Sequence, residues 1–201
     1  MRRAFEIPLL IVLSLLMLTA LLHGPAQTAS AVDDTEPYTY QLTQSTSAYQ
    51  LWTTTPSERV FKDASVPLVT GPEVKVYAAQ NEFEPFQVVV KPAASGNATV
   101  SIDTFGSGIT VEIYQVKYVN ITQTSDSLGR TGPYPDPLWP LGNGATVALA
   151  AGENTAFWFN VFVPAGTAFG DYTAQVHIGV VSIPVRLHVF NFAIPETLHV
   201  A

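Results

Sequence analysis

The chain has 201 residues, 47% of them hydrophobic, 11% aromatic and only 12% charged, with a formal charge of −7 and no cysteine. That composition buries a core and excludes general disorder, and the length excludes a large multidomain enzyme. The acidic balance argues against nucleic acid and anionic membrane surfaces as partners. The missing cysteines remove disulfides, thiolate nucleophiles and Cys-ligated metals.

Arg2 and Arg3 precede an apolar run from Leu9 to Leu22, then Gly24-Pro25 and Ala29-Ser30-Ala31. A basic end, an apolar middle and small residues at the close form the pattern of a secretory signal peptide, residues 1–31, with cleavage expected after Ala31. The run is shorter than the ~18 residues that span a bilayer, so no stable membrane anchoring is expected after cleavage. Export to the periplasm or exterior of a bacterial cell follows. Loss of Arg2, Arg3 and Glu6 would leave seven basic and fifteen acidic residues, a charge of −8.

Residues 32–47 are polar, rich in Thr, Ser and Gln, and lack steady periodicity, so they are expected to be a flexible lead-in. From Ala48 onward, period-two alternation recurs. Its clearest stretch sets Tyr172, Ala174, Val176, Ile178 and Val180 against Thr173, Gln175, His177 and Gly179. Similar runs fall at 48–54, 73–78, 82–91, 98–105, 109–121, 146–150, 154–163 and 183–192, with turn residues such as Gly71-Pro72, Gly106-Ser107-Gly108 and Gly142-Asn143-Gly144 between many of them. The short connections favour antiparallel pairing. The expectation is an all-β, antiparallel sandwich of immunoglobulin-like or jelly-roll type, with about nine strands over residues 48–195.

One connection is long. Residues 124–144 hold Gly129, Gly132, Pro133, Pro135, Pro137, Pro140 and Gly142, and are expected to form an ordered loop rather than a ladder strand. The run Phe157–Val163 is apolar on both faces: Phe157, Phe159, Val161 and Val163 can line the core, which leaves Trp158 and Phe162 needing a cover.

Chemistry is hard to find. Glu82 and Glu84 share one face of a strand, with Cα atoms roughly 7 Å apart, and read as charges at the mouth of a strand more readily than as a catalytic pair. His177, His188 and His199 show no metal-ligand spacing, and neither a Gly-x-Ser-x-Gly elbow nor a phosphate loop is present. No catalytic, cofactor or metal residue is assigned and no cofactor is expected. Among the aromatic residues, Trp139 and Tyr134 are the best candidates for stacking on a sugar, because they lie in the long connection.

Four segments carry a resemblance: Leu51-Trp52-Thr53-Thr54-Thr55-Pro56-Ser57-Glu58-Arg59-Val60, Ala79-Gln80-Asn81-Glu82-Phe83-Glu84-Pro85-Phe86-Gln87-Val88-Val89, Tyr134-Pro135-Asp136-Pro137-Leu138, and Val163-Pro164-Ala165-Gly166-Thr167 leading into Gly170-Asp171-Tyr172-Thr173. In this order they resemble the N-terminal β-sandwich of glycoside hydrolase family 123-type proteins. The resemblance implies a noncatalytic module that packs against a (β/α)8 barrel bearing the catalytic carboxylates of an N-acetylhexosaminidase-like enzyme. The barrel is not found in these 201 residues, and residues 196–201 are expected to begin a linker to it. Candidate residues facing that domain or a glycan are Tyr134, Asp136, Trp139, Trp158 and Phe162, with Asp136 expected to fix its loop by accepting backbone N–H groups. The alternative is a free-standing carbohydrate-binding or cell-surface adhesion module.

Overall fold

The computed structural model describes residues 38–127 and 129–196. The expected signal peptide at 1–31 and all but the first residue of the expected linker at 196–201 lie outside them. Among the described residues there are twelve strands and no helix: β1 Tyr40–Leu42, β2 Tyr49–Thr54, β3 Thr70–Gly71, β4 Val74–Gln80, β5 Glu82–Pro92, β6 Gly96–Ile102, β7 Thr110–Ile121, β8 Gly132–Leu141, β9 Ala145–Leu149, β10 Thr155–Val163, β11 Gly170–Ile178 and β12 Val181–Ala193. They form a seven-stranded sheet, ordered β3-β1-β2-β5-β10-β7-β8, and a five-stranded sheet, ordered β4-β12-β11-β6-β9.

The core lies between the sheets and follows the alternation. Phe157, Phe159, Val161 and Val163 are fully buried from one side, and Val176, Ile178, Ile183, Val185, Leu187 and Val189 from the other. Val180, expected to continue that row, is almost wholly exposed, because Gly179 and Val180 form the two-residue turn between β11 and β12. Gly179 takes a positive φ there, which matches the twist of a tight hairpin.

Three differences from the expected nine-strand antiparallel sandwich have physical causes. First, the sheets are mixed: β4 runs parallel to β12, and β3 parallel to β1. The rule against parallel pairing concerns strands joined by short connections, and each of these pairs is separated by a long stretch of chain. Second, the lead-in is not flexible throughout. Tyr40 and Leu42 are buried core residues of β1, and the Tyr40 ring lies where a Cβ on Gly71 would come within 2.6 Å, so β3 can approach only with glycine there.

Third, residues 132–141 do form a ladder strand despite four prolines. β8 is the last strand of its sheet, so only one side of it needs donors. Pro133, Pro135 and Pro140 oppose Asn120, Tyr118 and Tyr114, all on alternate positions of β7, where the missing N–H would point away from the partner. The irregularity between Val116 and Tyr118 puts one extra residue on β8, and this keeps Pro140 in phase with the earlier two.

The step from β4 to β5 crosses from the small sheet to the large one within a single residue, Asn81, at φ 57°. Asparagine tolerates this left-handed conformation. Around it, Glu82 Oε2 accepts the Ala79 N–H at 2.6 Å, Asn81 Nδ2 donates to the Ile194 carbonyl at 2.9 Å, and Ile194 N–H donates to the Gln80 carbonyl at 2.8 Å. The Ala79–Glu82 motif is therefore a corner that also ties down residues just beyond the end of β12.

Candidate functional site on the outer face of the large sheet

β10 turns its even-numbered residues, Ala156, Trp158, Asn160 and Phe162, away from the core. Nothing from the small sheet can cover them. Ala156 joins Trp52, Val89 and Val116 in a second buried cluster, closed from outside by Val60, with Val66 packed against it. The cover over Ala156 is thus the connection between β2 and β3, residues 55–69, while Trp158 is flanked by that connection and by Pro135, Asp136 and Leu138 of the proline-rich segment.

Polar side chains of the sheet hold this connection by its backbone. Gln87 Nε2 donates to the carbonyls of Thr55 (2.8 Å) and Glu58 (2.9 Å), and the Tyr118 hydroxyl donates to the Val60 carbonyl (2.9 Å). Asn154 Nδ2 donates to Phe61 (3.0 Å) and Ala64 (2.8 Å), while the Asn154 N–H donates to Lys62 (2.8 Å). Asn154 is only 1% exposed, so these bonds are made away from competing water. Burial, with the nearby charges of Glu153 and Asp63, pushes the Tyr118 hydroxyl up to about 12.

The connection places Arg59 beside β8. The Arg59 guanidinium lies 5.5 Å from the Tyr134 ring centre, Tyr134 meets Phe61 edge-on at 5.2 Å, and Arg130 sits 4.1 Å above Phe61. Arg130 also reaches both oxygens of Asp63, at 3.2 and 3.1 Å, and holds that carboxyl below its ordinary range. Two adjoining depressions result. One, of about 220 Å3, is lined by Trp158, Pro135, Asp136, Leu138, Glu58 and Arg59. The other, of about 430 Å3, has Arg59, Phe61, Arg130 and Tyr134 in its walls.

Three of the expected residues, Tyr134, Asp136 and Trp158, therefore gather around Arg59. Two do not. Trp139 opposes Gln115, in the phase of Ile113 and Phe157, so it leaves the opposite face of the sheet from Trp158 and is 62% exposed at the edge. Phe162 lies four residues along β10, roughly 13 Å from Trp158, with its ring 4.5 Å from exposed Phe83. Asp136 accepts no hydrogen bond from a described residue. Pairing with β7 fixes its segment, in place of the backbone N–H bonds expected of its carboxylate. Arg59, Phe61 and Arg130 gave no signal of their own in the sequence; the indication was indirect, in that Glu58-Arg59-Val60 and Tyr134-Pro135-Asp136 belong to two of the segments that carried the resemblance.

The arrangement offers an indole, a phenol ring and a guanidinium flanked by carboxylates, a surface suited to stacking and hydrogen bonding. Among the described residues, no group of three or more His, Asp or Glu side chains is placed to hold a metal ion. Glu82 and Glu84 share the inward phase of β5, opposite Val163 and Val161, at the far side of the sheet from the Trp158 groove. Burial, followed by the neighbouring Glu82 charge, holds the Glu84 carboxyl above its ordinary range.

Comparison with known proteins shows similarity of fold only. No family model and no curated protein matches the chain. A family 123 glycoside hydrolase from Clostridium perfringens superposes with a TM-score of 0.59 at 12% identity, over 74% of this chain and 28% of the hydrolase. The chain thus spans little more than a quarter of that protein. A β-glucosidase from Listeria innocua (TM-score 0.32, 13% identity, 73% of this chain and 16% of that one) and domains 4 and 5 of the S-layer protein SbsC (0.30, 16%, 70% and 57%) are more distant. The family 123 superposition supports a β-rich sandwich fold of a kind that occurs in a glycoside hydrolase.

Proposed function

We propose that the chain is an exported, noncatalytic β-sandwich module of a carbohydrate-active hydrolase, packing against and supporting a (β/α)8 catalytic domain. One observation carries the reading: aromatic side chains are uncovered on both sides of the corner that ties down the end of β12. On the large sheet, Phe83 is 57% exposed against Phe162. On the small sheet, Phe190 stacks on Phe192 at 5.7 Å, and Phe192 is 59% exposed. Asn81 and Gln80 hold Ile194 between them, so a chain continuing past this point starts beside both pairs. A domain docked there would remove these rings from water, at about 25 cal/mol per Å2 of apolar surface covered. The likeness of fold to a family 123 glycoside hydrolase supports the choice of partner domain.

The full chain should bind a hydrophobic dye or self-associate, and Phe83→Ser combined with Phe192→Ser should abolish both without changing the urea midpoint by much. A monomer that binds no dye at any concentration tested would overturn the docking role.

A further inference from the structure

Three cations lie over aromatic rings on the outer face of the large sheet: Arg59 on Tyr134, Lys62 on Tyr118 and Arg130 on Phe61. Two of them are also neutralised, Lys62 by Glu153 at 2.9 Å and Arg130 by Asp63 at 3.1 Å. Arg59 is not. It makes no ion pair or hydrogen bond with a described residue, although the carboxylates of Glu58 and Asp136 line the same depression. Its place in the chain is nonetheless fixed from both sides. Buried Gln87 holds the Glu58 carbonyl before it, and Tyr118 holds the Val60 carbonyl after it. A guanidinium anchored in this way and left without a counterion is a preorganised donor.

Trp158 is in a similar condition. Among the described residues its ring meets no other ring and no cation, and its indole N–H makes no hydrogen bond. The depression therefore offers two unengaged donors, the Arg59 guanidinium and the Trp158 N–H, and two unengaged acceptors, Glu58 and Asp136. Arg59, Glu58 and Asp136 are exposed and Trp158 is partly so, which lets a ligand reach them without rearrangement. A fully apolar ligand would take water from these groups and return no hydrogen bond. A small anion gains at Arg59 and loses at both carboxylates, and a small cation gains at the carboxylates and loses at Arg59. A neutral ring with hydroxyls on its edge and C–H groups on its face satisfies donors, acceptors and indole together. The volume of about 220 Å3 is below the ~300–1,000 Å3 of sites for drug-sized ligands, so it suits one ring, with room past Arg59 in the larger depression for a chain to continue.

We propose that the Trp158 depression binds one neutral pyranose ring of a glycan, its C–H face on the indole, its hydroxyl oxygens accepting from Arg59 and its hydroxyl protons donated to Glu58 and Asp136. Phe162 of the docking patch shares this face of β10 but lies roughly 13 Å away, beyond Asn160 and the Glu112 carboxylate bonded to it. The two roles use different residues, so the sugar site does not rest on the docking role.

The test is an NMR titration of the full chain with methyl glucoside, methyl galactoside and their 2-acetamido counterparts, each up to about 50 mM, which reads dissociation constants in the millimolar range. Methylguanidinium serves as the cationic probe. At least one sugar should shift the Trp158 indole N–H resonance saturably, that resonance being identified by its loss in Trp158→Phe. Arg59→Gln, at an exposed position that does not endanger folding, should weaken binding about tenfold, since hydrogen bonds to charged groups are the strong ones. Trp158→Ala should abolish it, and Trp139→Ala, at the opposite face, should leave it unchanged. Phe83→Ser combined with Phe192→Ser, the variant that tests docking, should bind the sugar as the parent does. The proposal is overturned if all four sugars give no saturable shift, if the shifts centre away from Arg59 and Trp158, if Arg59→Gln leaves the affinity unchanged, or if methylguanidinium binds there more tightly than every sugar.

Discussion

Replacing Asn154 tests whether the outer face is built as described, because this one side chain holds two carbonyls of the segment that carries Arg59 and Phe61. Asn154→Ala removes the donors to Phe61 and Ala64 and keeps the backbone bond to Lys62. Each lost bond costs about 1 kcal/mol net, and a carbonyl left buried without a donor adds to that, so the total is about 3 kcal/mol. Asn154 Oδ1 is itself buried without a partner, so deleting it returns part of this and the net loss is about 2 kcal/mol. Asn154→Asp is the sharper variant. It keeps the shape but aims a buried carboxylate at two carbonyl oxygens, and should cost about 1 kcal/mol more than alanine even after partial protonation. Urea unfolding followed by tryptophan fluorescence measures both, because Trp52 is buried beneath the segment and Trp158 lines the groove beside it. Limited proteolysis should cut first within residues 55–69. If Asn154→Ala lies within about 0.5 kcal/mol of the parent, or Asn154→Asp is no worse than Asn154→Ala, side-chain donors do not hold this segment and the account of the groove fails.

At the sheet-crossing corner, Asn81→Ala should cost about 2 kcal/mol, combining left-handed strain with the lost bond to Ile194, while Asn81→Gly should cost clearly less; equal losses in a thermal melt would show that backbone strain is not the issue. Burial pushes the Tyr40 hydroxyl, like that of Tyr118, up to about 12, whereas unfolding restores the ordinary value of 10.0. The unfolded chain then loses these protons first, so stability is intact below pH 10 and falls between pH 10 and 12; Tyr118→Phe should flatten that fall in urea titrations, and an unchanged slope would contradict the assignment. Phe159→Ala, at a fully buried site stacked on Phe86 at 5.0 Å, should lose about 4 kcal/mol in chemical denaturation, and a loss under about 1 kcal/mol would mean that the inner faces do not form the core. N-terminal sequencing of the exported protein should begin at Val32; a protein that stays with the membrane and retains residues 1–31 would contradict the reading of that segment as a cleaved signal.

Alternation along one strand is a local property, and it identified Phe157, Phe159, Val161 and Val163 as core before any neighbour was known. A strand with one dry face must show period two wherever it sits. The same reasoning placed Glu82 and Glu84 on one face and left Trp158 and Phe162 looking for a cover. It could not say what the cover is. The side chains that hold it, Gln87, Tyr118 and Asn154, bond to carbonyls 29 to 93 residues away, and a carbonyl has no side-chain identity to leave in the sequence.

Pairing was the other matter left to tertiary structure. Four prolines in ten residues argue against a ladder strand only if both sides need donors, and whether β8 is an edge depends on which strand β7 meets on its other side. Parallel partners such as β4 and β12 belong to distant parts of the chain, and β1 is too short to show a period at all. Periodicity reports which face of a strand is dry. Which strand lies beside it, and which polar atoms meet across the gap, are settled only when the two sheets close on their common core.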